Sequence, residues 1–156
     1  MKYRFAYVLL VFATLLTCMT SCSDYVNLGL PSGTQWKNTN EKGGFYTYDQ
    51  AIQHFEKNLP TKEQWEELKD VCDWKKTDKG FKVIGPNNNY IILPACGYSD
   101  WNHVIHEEGV EGNYWSATLD SEDYAWYIYF TDVVYFSYDS RSYGLSVRLV
   151  KKTSIN

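Results

Sequence analysis

The sequence predicts an α+β domain, because two capping-box helices come early and everything after them reads as short strands divided by polar turns. Tyr25 to Trp36 forms a strand, a tight turn set by Pro31 and Gly33, and a second short strand. After the Gly43-Gly44 break, Thr47-Tyr48-Asp49-Gln50 has the Thr-x-x-Gln form of a capping box, and Ala51, Ile52 and Phe55 follow at helical spacing. A second box, Thr61-Lys62-Glu63-Gln64, directly follows Pro60. Trp65, Leu68 and Cys72 then recur on one helical face, while Glu66, Lys69 and Asp70 take the wet face.

Beyond this helix the pattern changes to strands. Gly80–Gly85 and Tyr90–Ala95 are joined by Pro86-Asn87-Asn88-Asn89, which predicts a hairpin. The polar stretch from Asp100 to Asn113 reads as one long surface loop. In Tyr124–Phe130 alternation puts Trp126, Ile128 and Phe130 on one face and Ala125, Tyr127 and Tyr129 on the other. In the next strand Val134 and Phe136 oppose Val133, Tyr135 and Ser137. One face is thus apolar and the other rich in tyrosine. The framework ends in Tyr143-Gly144-Leu145-Ser146-Val147-Arg148-Leu149-Val150, a closing strand in which Arg148 is expected as a structural ion-pair partner.

Seven of the fourteen tyrosines lie between Tyr114 and Tyr143. A tyrosine supplies contact area and a hydrogen-bonding tip with few torsions to freeze, so this density predicts a binding face. The expected ligand contacts are Tyr127, Tyr129, Tyr135, Tyr138, Asp139, Ser142 and Tyr143, with Trp101 as a wall from the long loop. The competing reading is that these rings only cover a small domain with a modest core.

The N-terminus addresses the envelope. Lys2 and Arg4 precede an apolar run, Phe5 to Leu16, that is too short to span a bilayer, and small residues follow. Met19-Thr20-Ser21-Cys22 resembles a bacterial lipobox, which predicts a signal peptide over 1–21, acylation of Cys22 and a single domain over 22–156; Cys18 is the weaker rival. The expected location is the bacterial cell envelope, at the outer membrane through the lipid anchor. Loss of Lys2 and Arg4 moves the formal charge from −4 to −6. No basic stripe is present to displace counterions from phosphates, so no nucleic-acid partner is expected. Cys72 and Cys96 remain in a compartment where a disulfide persists; a bridge between them and two buried thiols are both open.

No catalytic motif accompanies the binding face. There is no Gly-x-Ser-x-Gly elbow, Asp120-Ser121-Glu122-Asp123 reads as a turn, and His54 reads as a surface or partly packed residue. His103-x-x-His106-Glu107-Glu108 lies in the loop without an evident third ligand, so neither metal nor cofactor is expected. The reading is of a non-enzymatic module.

Several ordered motifs carry a family resemblance: Leu28-Gly29-Leu30-Pro31-Ser32-Gly33-Thr34-x-Trp36, Leu59-Pro60-Thr61-x-x-x-Trp65-x-x-Leu68, Gly85-Pro86-Asn87, Leu93-Pro94-Ala95-x-Gly97-Tyr98, Tyr114-Trp115-Ser116-x-Thr118 and Gly144-x-Ser146-Val147-Arg148. Together they resemble the Fibrobacter succinogenes major paralogous domain family, common in lipoproteins of Bacteroides-like bacteria. The resemblance implies a C-type-lectin-like fold, which hosts sugar binding, protein binding and cysteine oxidation alike. Calcium-dependent sugar binding in C-type lectins uses a Glu-Pro-Asn or Gln-Pro-Asp loop and a Trp-Asn-Asp strand. Here Gly85 precedes Pro86-Asn87 and His103 follows Trp101-Asn102, so those carboxylates are missing, although Glu107, Glu108 and Glu111 leave an unrelated site open. The reactive cysteine pair of formylglycine-generating enzymes is also missing, since no cysteine follows Cys96.

The leading expectation is therefore a lipoprotein that binds a glycan or a surface protein. A second is a variable protein of a diversity-generating retroelement, with Trp115, Ile128, Phe130, Val134, Phe136, Gly144 and Val147 as framework and the Tyr, Ser and Asp positions between them diversified. A third is a structural surface lipoprotein without a specific small ligand.

Overall fold

The computed structural model describes residues 24–152. Cys22, Cys18 and the signal-like segment lie outside the described residues.

Both capping boxes close as the spacing predicts. Helix α1 (Tyr48–Phe55) begins where Thr47 Oγ1 accepts the Gln50 amide at 3.3 Å and Gln50 Oε1 accepts the Thr47 amide at 2.9 Å. Helix α2 (Lys62–Val71) repeats the arrangement with Thr61 and Gln64 at the same two distances, and ends where Cys72 turns extended at φ −96° and ψ 154°. A single 3₁₀ turn, Glu56–Asn58, connects them to Leu59 and Pro60. The helices bury Tyr48 and Ala51 from α1 and Trp65 and Leu68 from α2.

The described residues also form eleven strands: β1 (Tyr25–Asn27), β2 (Thr34–Lys37), β3 (Asp73–Thr77), β4 (Gly80–Ile84), β5 (Tyr90–Pro94), β6 (Tyr98–Ser99), β7 (Ile105–His106), β8 (Gly112–Leu119), β9 (Tyr124–Phe130), β10 (Val134–Ser140) and β11 (Val150–Lys152). The sheets run β1-β2-β11, β3-β4-β5, β10-β9-β8 and β6-β7, and every ladder between these strands is antiparallel. The first and last described strands meet on β2, where Val150 lies opposite Trp36.

Strand β8, at the edge of its sheet, separates the two hydrophobic clusters. Its alternation sends Tyr114 one way and Trp115 the other, and both rings are fully buried. Tyr114 joins the main core with Trp36, Trp65, Leu93, Ile128 and Phe130; Trp115 joins a second core with Tyr48, Ala51, Leu59, Leu145 and Val147. Each helix also holds β8 by a side-chain hydrogen bond: Trp65 Nε1 donates to the Trp115 carbonyl at 3.2 Å, and Tyr48 Oη donates to the Ala117 carbonyl at 2.7 Å. These bonds sit where β8 slips register against β9, between Trp115 and Leu119.

The structure departs from the sequence expectations in several places. Asp73–Thr77 is a strand, added at the open edge of the predicted hairpin; its two lysines suit an edge strand that must resist further pairing. Asp100 to Asn113 is not one loop, because β7 folds back on β6 and Gly112 and Asn113 already belong to β8. The approach needs Gly97, at φ +75°, since a side chain there would fall 2.0 Å from the His106 carbonyl oxygen. The closing segment is a strand only from Val150; Gly144 to Ser146 instead engage several neighbours through isolated bridges to Ser99, Tyr46 and Tyr114.

Arg148 is not an ion-pair partner. It is fully buried, and its guanidinium donates to Asn40 Oδ1 at 2.9 and 2.6 Å, the Lys37 carbonyl at 2.8 Å and the Ile92 carbonyl at 2.7 Å. Burial among neutral acceptors pulls its pKa below the ordinary value.

The Cys72–Cys96 bridge is not formed either. Both are free thiols in different surroundings: Cys72 packs on the main core beside the end of α2, and Cys96 Sγ lies 3.8 Å from the Asn40 amide. Burial pushes the Cys72 thiol up to about 11.

Candidate functional site

The register of the β8-β9-β10 sheet decides which tyrosines share a surface. Residues directly opposite on antiparallel strands point the same way, so Tyr129 opposite Tyr135 and Tyr127 opposite Ser137 occupy one face together with Asn113, which lies opposite Tyr129. Tyr138 lies opposite Trp126 and therefore points to the other side, where its ring meets Trp126 at 5.4 Å and Tyr124 at 6.1 Å. It is removed from the site. Ser142 is removed as well: it lines a separate polar depression with Asp49, Glu122 and Arg141, where Arg141 pairs with Asp49 and donates to the Glu122 carbonyl at 2.6 Å.

The tyrosine face is not a flat exterior. Towards β8 it is roofed by the second core, so Tyr127 is half-buried with its ring edge-on to Trp115 at 6.1 Å. Beyond that roof the face opens into a cleft of about 240 Å³, lined by Tyr98, Glu111, Asn113, Tyr127, Tyr129, Asp139, Tyr143 and Leu145. One aromatic rail runs along the sheet, from Tyr127 to Tyr129 at 5.9 Å and on to Tyr135 at 5.3 Å, the last pair stacked at 24°. A second rail comes from β6 and the closing segment: His106 stacks on Tyr98 at 5.2 Å, Tyr98 meets Tyr143 at 5.9 Å, and Trp101 stands edge-on to Tyr143 at 5.8 Å. Trp101 is exposed and touches the cleft only through Tyr143, without lining it.

Between the rails stand two carboxylates, Glu111 and Asp139, and the amide of Asn113. Asn113 is buried, and its amide nitrogen lies 3.5 Å from Glu111 Oε2, at the limit of a hydrogen bond. Asp139 Oδ1 accepts the Ser140 amide at 2.7 Å. Among the described residues neither Glu111 nor Asp139 forms an ion pair. Burial pushes the Tyr127 phenol up to about 12, aided by the charges of Asp139 and Glu111 and opposed by Ser137; burial likewise raises Tyr98. Both hydroxyls are protonated at neutral pH and can donate.

His106 does not reach a metal constellation with His103. Its Nε2 lies 3.0 Å from Asp100 Oδ2, and that contact holds the Asp100 carboxyl below its ordinary range. Among the described residues no group of three His, Cys, Asp or Glu side chains is placed to hold a metal ion. Asp120 to Asp123 form the turn before β9, with the Asp120 and Ser121 amides both donating to the Tyr124 carbonyl.

Of the expected contacts the structure brings together Tyr127, Tyr129, Asp139 and Tyr143 in the cleft, with Tyr135 and Trp101 extending the rails. Sequence reasoning missed Tyr98, Asn113 and Leu145, and had named Glu111 only with Glu107 and Glu108 as leaving an unrelated site open. Tyr98 was visible as the aromatic after Gly97, but placing it needed the β6-β7 fold-back that brings it to Tyr143.

No helix among the described residues is long and apolar enough to cross a membrane. No curated protein and no solved structure matches the chain. A family model described as a domain of unknown function, DUF8237, matches residues 66–150, a span that runs from α2 to β11 and contains every residue lining the cleft. The chain belongs to the DUF8237 family.

Proposed function

We propose that this protein is a non-enzymatic binding module of the bacterial envelope, held at the outer membrane by acylation of Cys22, that recognises a glycan in the tyrosine cleft. The observation that carries the reading is the pairing of aromatic rails with acceptors: Tyr129 and Tyr143 offer faces to the C–H groups of a sugar ring, and Glu111, Asn113 and Asp139 stand ready for its hydroxyls. At about 240 Å³ the cleft lies below the roughly 300–1,000 Å³ of drug-sized sites, which suits one sugar ring. The C-type-lectin-like fold and kinship with the Fibrobacter succinogenes major paralogous domains belong to the same reading. It is supported by the order of two helices followed by short antiparallel strands, with the terminal strands meeting on β2.

A glycan panel probed with the purified protein tests the proposal. The wild type is expected to retain a defined glycan and Tyr129→Ala/Tyr143→Ala to lose it; retention by the double variant, or no retained glycan, counts against it.

A surface-protein ligand is the second reading, favoured by Trp101, Val104, Ile105 and Val110, all more than half exposed around the β6-β7 fold-back. Retroelement diversification is a genetic variant of either reading, supported by the burial of Trp115, Ile128, Phe130, Gly144 and Val147 beside solvent-facing Tyr135 and Tyr138. A reverse-transcriptase gene next to an adenine-rich near-copy of the segment would establish it.

A further inference from the structure

We propose that β10 is a dimerisation edge, along which two copies of the chain join antiparallel about a twofold axis at Ser137. The β10-β9-β8 sheet ends on β10, whose seven residues pair only with β9. Beyond that ladder the backbone of Val134 to Asp139 makes no hydrogen bond among the described residues, so its outward N–H and C=O groups form an open row. The other edges are closed. Along β8, Asn113 and Trp115 bond Ser146, and Ala117 bonds Pro60. On β5, the Ile92 carbonyl accepts from Arg148 and the Pro94 carbonyl from Tyr114, both at 2.7 Å. Strand β3 displays Lys75 and Lys76, and the three-residue strands β1 and β11 have the Asn27 and Val150 carbonyls taken by asparagine amides. Strand β10 has no such cover, no lysine and no proline, and its Val-Tyr-Phe-Ser-Tyr run favours pairing.

The occupant is a second copy because β10 complements itself. Turned antiparallel about Ser137, Phe136 lies opposite Tyr138 of the other copy, so two aromatic pairs form on one face, and Tyr135 lies opposite Asp139 on the other. Asp139 is the one charged residue of the strand. This register sets the two carboxylates to either side of the axis, roughly 13 Å apart by the strand rise, whereas pairing about Asp139 would oppose them. Tyr135 and Tyr138 are 46% and 52% exposed. At about 150–250 Å² per buried ring, the four tyrosines of a pair have roughly 300–500 Å² left to cover, which suits a weak, reversible contact. A twofold axis normal to the sheet keeps both tyrosine clefts on the same side of one six-stranded sheet, with the aromatic rail of each copy leading up to the axis.

The test is sedimentation of the purified full chain in detergent, wild type beside Ser137→Lys and Ser137→Asp. The wild type is expected to be half dimeric at a concentration between roughly 1 and 100 μM. Each variant alone sets like charges face to face at the axis and should stay monomeric up to about 1 mM, whereas an equimolar mixture of the two should restore the dimer, which damage to the fold would not do. Ser137→Cys supplies a second measurement: mild oxidation should join two copies through that position, with Tyr135→Cys giving less than about a tenth of the yield and the wild type, through Cys72 and Cys96, giving none. A wild type that is monomeric at about 1 mM overturns the inference and leaves the edge to a strand of another protein. Dimers that persist in both single variants, a mixture that stays monomeric, or a Ser137→Cys protein that does not cross-link overturn it as well.

Discussion

Arg148→Lys is expected to destabilise the protein by about 3 kcal/mol. The guanidinium reaches three acceptors on three segments: Asn40 and Lys37 after and within β2, and Ile92 on β5. A lysine has one nitrogen and a shorter reach, so it can stay with one segment and must abandon the others. Each abandoned buried acceptor costs about 1–3 kcal/mol, and the site, at zero exposure, admits no water to replace the lost donors. Two such acceptors set the figure of about 3 kcal/mol. With a urea slope of roughly 1–3 kcal/mol/M, the midpoint should fall by roughly 1–3 M. Tryptophan fluorescence can follow the transition, since Trp36, Trp65 and Trp115 are all in the cores. A midpoint shift below about 0.3 M would refute the reasoning, because it would mean that the fork does not bind those segments together.

Other outcomes follow from the same geometry. Trp65→Phe should cost about 1–3 kcal/mol more than Trp36→Phe, because Trp65 Nε1 donates to the Trp115 carbonyl whereas the buried Trp36 Nε1 has no partner; paired urea melts check the order. Tyr129→Ala should leave the melt nearly unchanged and weaken a retained glycan by about 2 kcal/mol or more, as a hot spot does; Tyr127→Ala should lower stability as well, because that ring belongs to the second core. On the alkaline side, a phenol raised from 10.0 to about 12 keeps its proton in the folded state after the unfolded chain has lost it. Stability is therefore full below pH 10 and falls towards pH 12, and Tyr127→Phe should flatten that fall in melts over pH 9–12. Cys22→Ala should release the protein from the membrane fraction and abolish acyl labelling, whereas labelling that persists would move the lipid to Cys18.

What the sequence disclosed was mostly local. Both capping boxes, the Pro86–Asn89 turn and the alternation in β9 are short-range signals whose physics is complete within a few residues, and each has its structural counterpart. The displacement of Tyr138 was legible too, since it stands three residues from Tyr135 and a period of two puts them on opposite faces. Half-burial of Tyr127 was not legible, because the roof over it comes from α1 and the closing segment, far away in the chain. The same holds for Phe136, which the alternation assigned to the core and the structure leaves only partly buried at the margin of the main core, with Lys69 over its ring at 5.9 Å. Position across a strand is written in parity; position along a sheet, from centre to edge, depends on neighbours that one strand does not name.

The placement of Tyr114 and Trp115 on opposite sides of one strand has a consequence for how the molecule melts. Strand β8 is held by both clusters at once, by its pairing with β9 and by hydrogen bonds from both helices and the closing segment, so loss of either cluster removes support from the strand that the other packs on. The two cores are therefore thermodynamically one unit, and calorimetry should record a single transition whose van't Hoff and calorimetric enthalpies agree. The outer parts of the rails hang on this unit from its rim, so Tyr129, Tyr135 and Trp101, which belong to neither cluster, can be exchanged for other side chains with the melting unit intact.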